Sequence, residues 1–312
     1  MSYDDARALR AFAEDQRIPY PLLSDVDSEV IRRFGILNTE VSRDDAMLYG
    51  IPFPGTYVVD ERGVVVARFF HDTYKKRDSP ELLLDAALGR VELADDAPRA
   101  TGGEAGVRIT AAIHGGKGSI RQGIRRHVVV RFELEEGLHL YGEPVPEGMI
   151  PTTVRVSGPP GLVTEAPILP PTTPLRLEGL GLELPVWSGT FDLQVPFFAN
   201  GELASECRPL DAETATVEVS VRYQACDDQT CLLPRTETYS FELPMDVIDV
   251  PSLAMHKRHG QREGGYDATP HMLRLFARKL REHPMGLPRF LLANLRLTRE
   301  ARARARAARA AP

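Results

Sequence analysis

Tyr223-Gln-Ala-Cys226-Asp-Asp-Gln-Thr-Cys231-Leu-Leu-Pro234 holds two of the three cysteines in a chain of 312 residues. Upstream, Val217, Val219, Val221 and Tyr223 alternate with Glu218, Ser220 and Arg222, the period-2 pattern of a half-buried strand. Downstream, Tyr239, Phe241 and Leu243 alternate with Thr238, Ser240 and Glu242 in the same way. Two such strands joined by a short polar loop read as a β-hairpin. Four residues separate the cysteines, so a four-residue loop sets Cys226 opposite Cys231. Directly opposed Cα atoms lie roughly 4.5–5.5 Å apart, inside the range of about 4.4–6.8 Å that a disulfide accepts. The spacing permits a disulfide without backbone movement.

Three chemistries fit such a pair: a structural disulfide or inert thiols, a zinc site, and a redox-active dithiol. Zinc wants about four ligands, and no His or third Cys lies close in sequence. The words around the cysteines, Tyr-Gln-Ala-Cys and Cys-Leu-Leu-Pro, resemble the active-site hairpin of the family of DsbD N-terminal domains, from thiol:disulfide interchange proteins. Leu138-His-Leu-Tyr141 resembles an early segment of the same domain. The resemblance implies an immunoglobulin-like sandwich that exchanges electrons with a thioredoxin-like redox protein. It also implies that Cys226 and Cys231 are the exchanging thiols, with no cofactor or metal. A partner thiolate would attack one sulfur while the second cysteine leaves.

Two features depart from that family. Its cap loop shields the cysteines with an aromatic residue, whereas Leu177-Glu-Gly-Leu-Gly-Leu182 offers only aliphatics, with Leu180 as the stand-in. Asp227 and Asp228 sit between the cysteines, and nearby negative charge disfavours a thiolate. Arg222 and Arg235 are the candidates to offset it, and the expected nucleophile is slow, relying on a partner's activated cysteine.

The length predicts about two domains. No run of about 18 or more apolar residues suggests a membrane span, and Met1-Ser-Tyr-Asp-Asp-Ala-Arg7 lacks the basic and apolar regions of a secretion signal. The reading is therefore cytoplasmic. Three cysteines do not make a secreted disulfide framework. From residue 251 onward, fourteen Lys or Arg face four Asp or Glu, a net of +10, which leaves −16 for residues 1–250 of a chain whose total is −6.

Residues 1–90 read as alternating α and β. Ala6, Leu9, Phe12 and Ala13 give one helix face. Asp27 or Ser28 caps a second helix with Val30, Ile31 and Phe34 inward and Gly35 as its stop. Residues 56–60 and 64–70 read as strands around Glu61-Arg62-Gly63, and Ser79-Pro80-Glu81 opens a helix that Gly89 closes.

Phe12-Ala13-Glu14, Tyr20-Pro-Leu-Leu-Ser-Asp25, Ile31-Arg-Arg-Phe-Gly-Ile36 and Pro54-Gly-Thr-Tyr-Val-Val-Asp-Glu-Arg-Gly63 together resemble the C-terminal half of a peroxiredoxin (AhpC/TSA redoxin, thioredoxin-like). The resemblance implies a truncated thioredoxin-like domain over 1–90, with Pro54 or a neighbour in the proline loop beside the family's active site. The family's peroxidatic cysteine lies upstream of this part, and no cysteine precedes Cys207. Thiolate attack on peroxide therefore has no nucleophile in this half. An incomplete sheet also exposes an edge and an apolar face, so this half is expected to be marginal by itself.

Residues 91–106 are small, polar and Gly-rich and read as a linker. Residues 107–250 read as all-β, with strands at 107–113, 127–133, 153–157, 187–195 and the two hairpin arms, separated by Pro-rich turns. Trp187 and Tyr141 are assigned to core or cap edge, Cys207 is a bystander thiol, and the eight His receive no chemistry.

In the tail, residues 251–312, a helix at 271–283 presents Met272, Leu273, Phe276 and Leu280, with Pro284 and Pro288 as breakers. A basic amphipathic tail can reach anionic membranes; docking on the acidic body is the favoured reading, and no nucleic acid is expected. The chain thus reads as α/β plus all-β: a partial thioredoxin-like unit, a sandwich and a basic helical tail. Function follows as thiol–disulfide oxidoreductase or electron relay, the alternative being a non-catalytic interaction module with a structural disulfide.

Overall fold

The computed structural model of the protein describes residues 1–44, 49–71, 75–177, 181–205, 213–247 and 269–310. Cys207 and Leu180, singled out above, lie outside the described residues, as does the start of the tail. The protein is mostly β-sheet. The first elements are α1 (Ala6–Asp15), α2 (Glu29–Arg33), β1 (Gly55–Val59), β2 (Val65–Phe70), β3 (Arg77–Asp78) and α3 (Pro80–Leu88). Then come β4 (Arg99–Glu104), β5 (Val107–His114), β6 (Ile124–Leu134), β7 (His139–Tyr141), β8 (Thr153–Ser157), β9 (Leu162–Thr164) and β10 (Thr173–Leu177). They are followed by β11 (Leu182–Ser188), β12 (Thr190–Ala199), α4 (Gly201–Ala204), β13 (Thr214–Tyr223), β14 (Ala225–Cys226) and β15 (Arg235–Pro244). Two helices close the described chain, α5 (Thr269–Glu282) and α6 (Gly286–Ala310).

The chain divides into two compact units: Met1–Tyr57 with Arg68–Tyr74 and Val250–Pro312, and Val58–Ala67 with Lys75–Asp249. The second is built on three sheets, ordered β4-β5-β6-β12-β9 with β3 added parallel to β6, β15-β13-β8 and β10-β11-β7-β14. Alternation in β13 does the work that its sequence suggested. Val217, Val219 and Val221 are buried against Val128, Val130, Leu193 and Val195 of the six-stranded sheet, while Glu218 and Arg222 face out. Burying one such side chain is worth about 1.5–3 kcal/mol, so this shared core is what fastens the sheets. Phe132 stacks on Phe191 at 5.1 Å, Trp187 stacks on Phe191 at 5.5 Å, and the indole N–H donates to the Pro170 carbonyl at 3.0 Å. Trp187 is thus a core residue with its polar handle satisfied.

The expected strand over 187–195 is in fact two. Gly189 adopts φ +66°, a left-handed turn open to glycine, and divides β11 from β12, which belong to different sheets. Residues 99–104, read as linker, form β4, paired to β5 from Arg99↔Ala112 to Glu104↔Val107. Its glycines let the backbone come close. A Cβ on Gly102 would lie 2.0 Å from a Glu237 carboxylate oxygen, which accepts hydrogen bonds from the Gly103 N–H at 3.1 Å and the Tyr239 hydroxyl at 2.6 Å. The helix opened by Ser79-Pro80 is present as α3 and packs within this same unit: His114 Nε2 lies 2.6 Å from Asp85, and Gly116 N–H donates to Glu81 at 3.1 Å. Arg125 bridges Asp78 and Glu165, with Lys76 also on Glu165, which fixes β3 beside β6.

In the other unit, Asp5 caps α1 by accepting from Arg7 N and Ala8 N. Ser28 holds the N-cap position of α2, but its side chain makes no capping hydrogen bond. Asp25 accepts from Glu29 N and Ile31 N, while Ser28 takes φ +55° and its buried hydroxyl donates to the Gly50 carbonyl at 2.8 Å. Among the described residues up to His71, Ile31 is the one hydrophobic side chain that is buried; Phe12, Leu23, Val26 and Phe34 are exposed. One Ile is worth about 3 kcal/mol at most, against roughly 1–2 kcal/mol of backbone entropy for every residue ordered. This accords with a segment of marginal independent stability. The strands β1 and β2 form a two-stranded sheet, with Tyr57 against Phe34 and Phe70.

Helix α5 has Leu275, Phe276 and Leu280 half-buried while Met272 and Leu273 are exposed, a face shifted from the one read in the sequence. Pro284 separates the helices as expected. Pro288 does not break α6, because it sits in the first turn, where its missing N–H has no intrahelical partner to lose. Among the described residues, no helix is long and apolar enough to cross a membrane.

Candidate thiol–disulfide site

Strands β13 and β15 pair over ten residues, from Thr214↔Pro244 to Tyr223↔Arg235. Continued unchanged, that ladder would set Cys226 opposite Leu232. A one-residue bulge beyond Tyr223 shifts the pairing, so Cys226 faces Cys231 and Leu232 N–H donates to the Ala225 carbonyl at 2.8 Å. The hairpin read in the sequence is present, and the bulge brings its cysteines together. They form a disulfide with Cα atoms 4.0 Å apart. Asp227 closes the loop between them: its carboxylate accepts from Gln229 N at 2.7 Å and Thr230 N at 2.6 Å. Those backbone hydrogen bonds, Thr230 first, hold its acid below the usual carboxylate range.

Past the bulge, β14 keeps the bridge to Cys231 on one edge and pairs with β7 on the other, as Ala225↔Leu140 and Cys226↔His139. This switch of sheets gives the two sulfurs unlike surroundings. Cys226 is 1% exposed and lies in an apolar cluster with Tyr141, Leu184 and Val186, packed over by Val145, Met149 and Leu175. Cys231 is exposed, and the residues after it, Leu232 and Leu233, expose apolar side chains, Leu233 to 84%.

The shell over Cys226 is the feature that sequence reasoning missed. Val145 and Met149 come from the Pro-rich connection after β7; the segment around Leu180, proposed as cap, lies outside the described residues. No local pattern marks them. Tyr141, assigned to core or cap edge, lies beneath Cys226, and burial raises its hydroxyl pKa. Arg235 is turned to β4, donating to the Gly103 carbonyl at 3.3 Å and lying 3.6 Å from Glu104. It is therefore engaged away from the two aspartates it was expected to offset.

Comparison with known proteins matches two parts of the chain. Residues 1–68 match the AhpC/TSA family, and residues 117–243 match the family described as thiol:disulfide interchange protein DsbD, N-terminal. No curated protein matches. Among solved structures, the N-terminal periplasmic domain of ScsB from Proteus mirabilis is similar at 11% identity, over 47% of this chain and 50% of that one, with a TM-score of 0.30. The match thus spans half of that chain's length. The reduced DsbD N-terminal domain of Neisseria meningitidis is similar at 17% identity, covering 38% and 77%, with a TM-score of 0.26. The same organism's complex of DsbD and PilB N-terminal domains follows at 16% identity, covering 36% and 73%, with a TM-score of 0.25. One chain therefore joins a segment of AhpC/TSA type to a segment of DsbD N-terminal type that contains both bridged cysteines, and the two families point to thiol–disulfide exchange.

Proposed function

We propose that this protein is a thiol–disulfide relay whose exchanging bond is Cys226–Cys231 and whose partner is a thioredoxin-like redox protein. The sandwich is its immunoglobulin-like exchange module, and the AhpC/TSA-type segment is a partial thioredoxin-like unit without a peroxidatic cysteine. The observation that carries the reading is the asymmetry of the disulfide: one sulfur buried in an apolar cluster, the other exposed beside Leu232 and Leu233.

That asymmetry orders the chemistry. An incoming thiolate reaches Cys231 Sγ in line with the bond, a new disulfide forms to Cys231, and the electron pair passes to Cys226 Sγ. The exposed leucines offer apolar surface on which a partner can seat. With Asp227 and Asp228 next to the pair, a small free thiolate is repelled, and a partner that brings its own docking surface is favoured.

Single-cysteine exchange tests this. In Cys226→Ser, the exposed Cys231 should form a mixed disulfide with an activated aromatic disulfide or with thioredoxin. In Cys231→Ser, Cys226 should react at least tenfold more slowly, each site being read by peptide mass. Equal rates at both cysteines would overturn the assignment.

A further inference from the structure

Directly across the strand pair from Cys226 stands His139, and on its other side the register partner is Ser188 of β11. Opposed residues of an antiparallel pair carry Cβ atoms about 4.5–5.5 Å apart on one face, so the imidazole and the Cys226 sulfur rise from the same patch. His139 is 6% exposed, and its Nε2 is buried without a hydrogen-bond partner. A buried nitrogen without a partner is disfavoured unless a group in the site makes use of it. The ring meets the edge of Tyr141 at 5.3 Å. The charged groups acting on it are Asp228 and Asp227 in the loop between the cysteines. Burial holds the imidazole below its ordinary pKa, and the two carboxylates pull the other way.

The exchange reading, on which this inference rests, makes Cys226 the leaving group. Its sulfur must accept an electron pair among Tyr141, Leu184 and Val186, where a thiolate lacks water and is disfavoured. We propose that His139 is the proton donor and acceptor for Cys226. As a partner thiolate attacks Cys231 and the Cys226–Cys231 bond breaks, the charged ring gives its Nε2 proton to the departing Cys226 sulfur. Thiolate, disulfide and imidazolium become mixed disulfide, thiol and neutral imidazole. In the closing direction Nε2 takes the proton from Cys226 as that sulfur attacks the mixed disulfide and expels the partner as thiolate. Asp227 and Asp228 favour the charged ring that the opening step uses.

The test is the rate at which 2-mercaptoethanol opens the disulfide between pH 5 and 8, expressed per unit of attacking thiolate and followed by peptide mass. In the wild type this rate should fall as pH rises and the ring loses its proton. His139→Phe keeps an aromatic ring against Tyr141 but has no proton to give. Its profile should be flat, and its rate at pH 5 at least tenfold lower. His139→Gln, which donates a hydrogen bond but does not titrate, should also be flat, at an intermediate rate. A flat wild-type profile, or a His139→Phe profile that keeps the wild-type slope, would overturn the proposal. Failure of the exchange reading looks different: the bond would open slowly at every pH and resist thioredoxin, while the slope with pH would still report on His139.

Discussion

Reducing the Cys226–Cys231 bond should leave the sandwich folded, with a measurable and bounded loss of stability. The cysteines are 5 apart in sequence, and closing so small a ring removes about 2 kcal/mol of chain entropy from the unfolded state. Native contacts do not depend on the bond. The β13–β15 ladder holds the hairpin over ten pairs, and Asp227 fixes the loop through Gln229 N and Thr230 N. The single tryptophan of the chain, Trp187, is buried in this unit and reports its unfolding alone. Urea titrations followed by its fluorescence, with and without dithiothreitol, should differ in midpoint by about 1 M at most, for a slope near 2 kcal/mol per M. A loss above about 4 kcal/mol, or unfolding on reduction, would make the bond a structural staple and refute the argument for a bond built to open.

Three further outcomes follow from particular groups. Burial lowers the His127 pKa from 6.5 to about 4, against a hydrogen bond to Gln194 that raises it. The unfolded chain therefore binds the proton first, and stability should fall as pH drops from about 6.5 to about 4, by about 3 kcal/mol in full; in His127→Gln this part of the urea-midpoint slope with pH should vanish. Peroxide added to the chain should not be turned over at a peroxidase rate, since the cysteines lie at 207, 226 and 231, outside the AhpC/TSA segment; turnover abolished by Cys226→Ser would show that the β unit had taken up that chemistry. The tail from residue 251 should loosen with salt, measured as protease sensitivity between 0.05 and 0.5 M, because contacts between exposed charges fade beyond a Debye length of about 8 Å. Binding of the full chain to acidic vesicles, lost in a chain ending at Val250, would count for a membrane role instead.

What the sequence disclosed was local. The alternation of Val217–Tyr223 and Tyr239–Leu243 is a property of single strands, so the hairpin could be read directly. The strand at 99–104 could not, because Arg-Ala-Thr-Gly-Gly-Glu has turn composition. Gly102 admits Glu237 and Tyr239, partners more than 130 residues away, while Gly103 takes a positive φ against Val107 of the next strand. The facing of Cys226 and Cys231 was legible in their spacing; the bulge past Tyr223 that accompanies it, and the pairing of β14 with β7, were not. Among the described residues Val145 and Met149 shelter Cys226, and no local sequence pattern marks them. His139 stood in a quoted segment and received no role, since only the register of β7 against β14 sets it across from the cysteine.

The reduction potential of the Cys226–Cys231 pair tests the relay most directly, measured by equilibration with dithiothreitol or glutathione and readout of both cysteines by peptide mass. A bond that exchanges with a thioredoxin-like partner should have a potential above about −300 mV, near those of thioredoxins and glutaredoxins at roughly −270 to −200 mV. A value below about −300 mV, in the range of structural disulfides, would contradict the account.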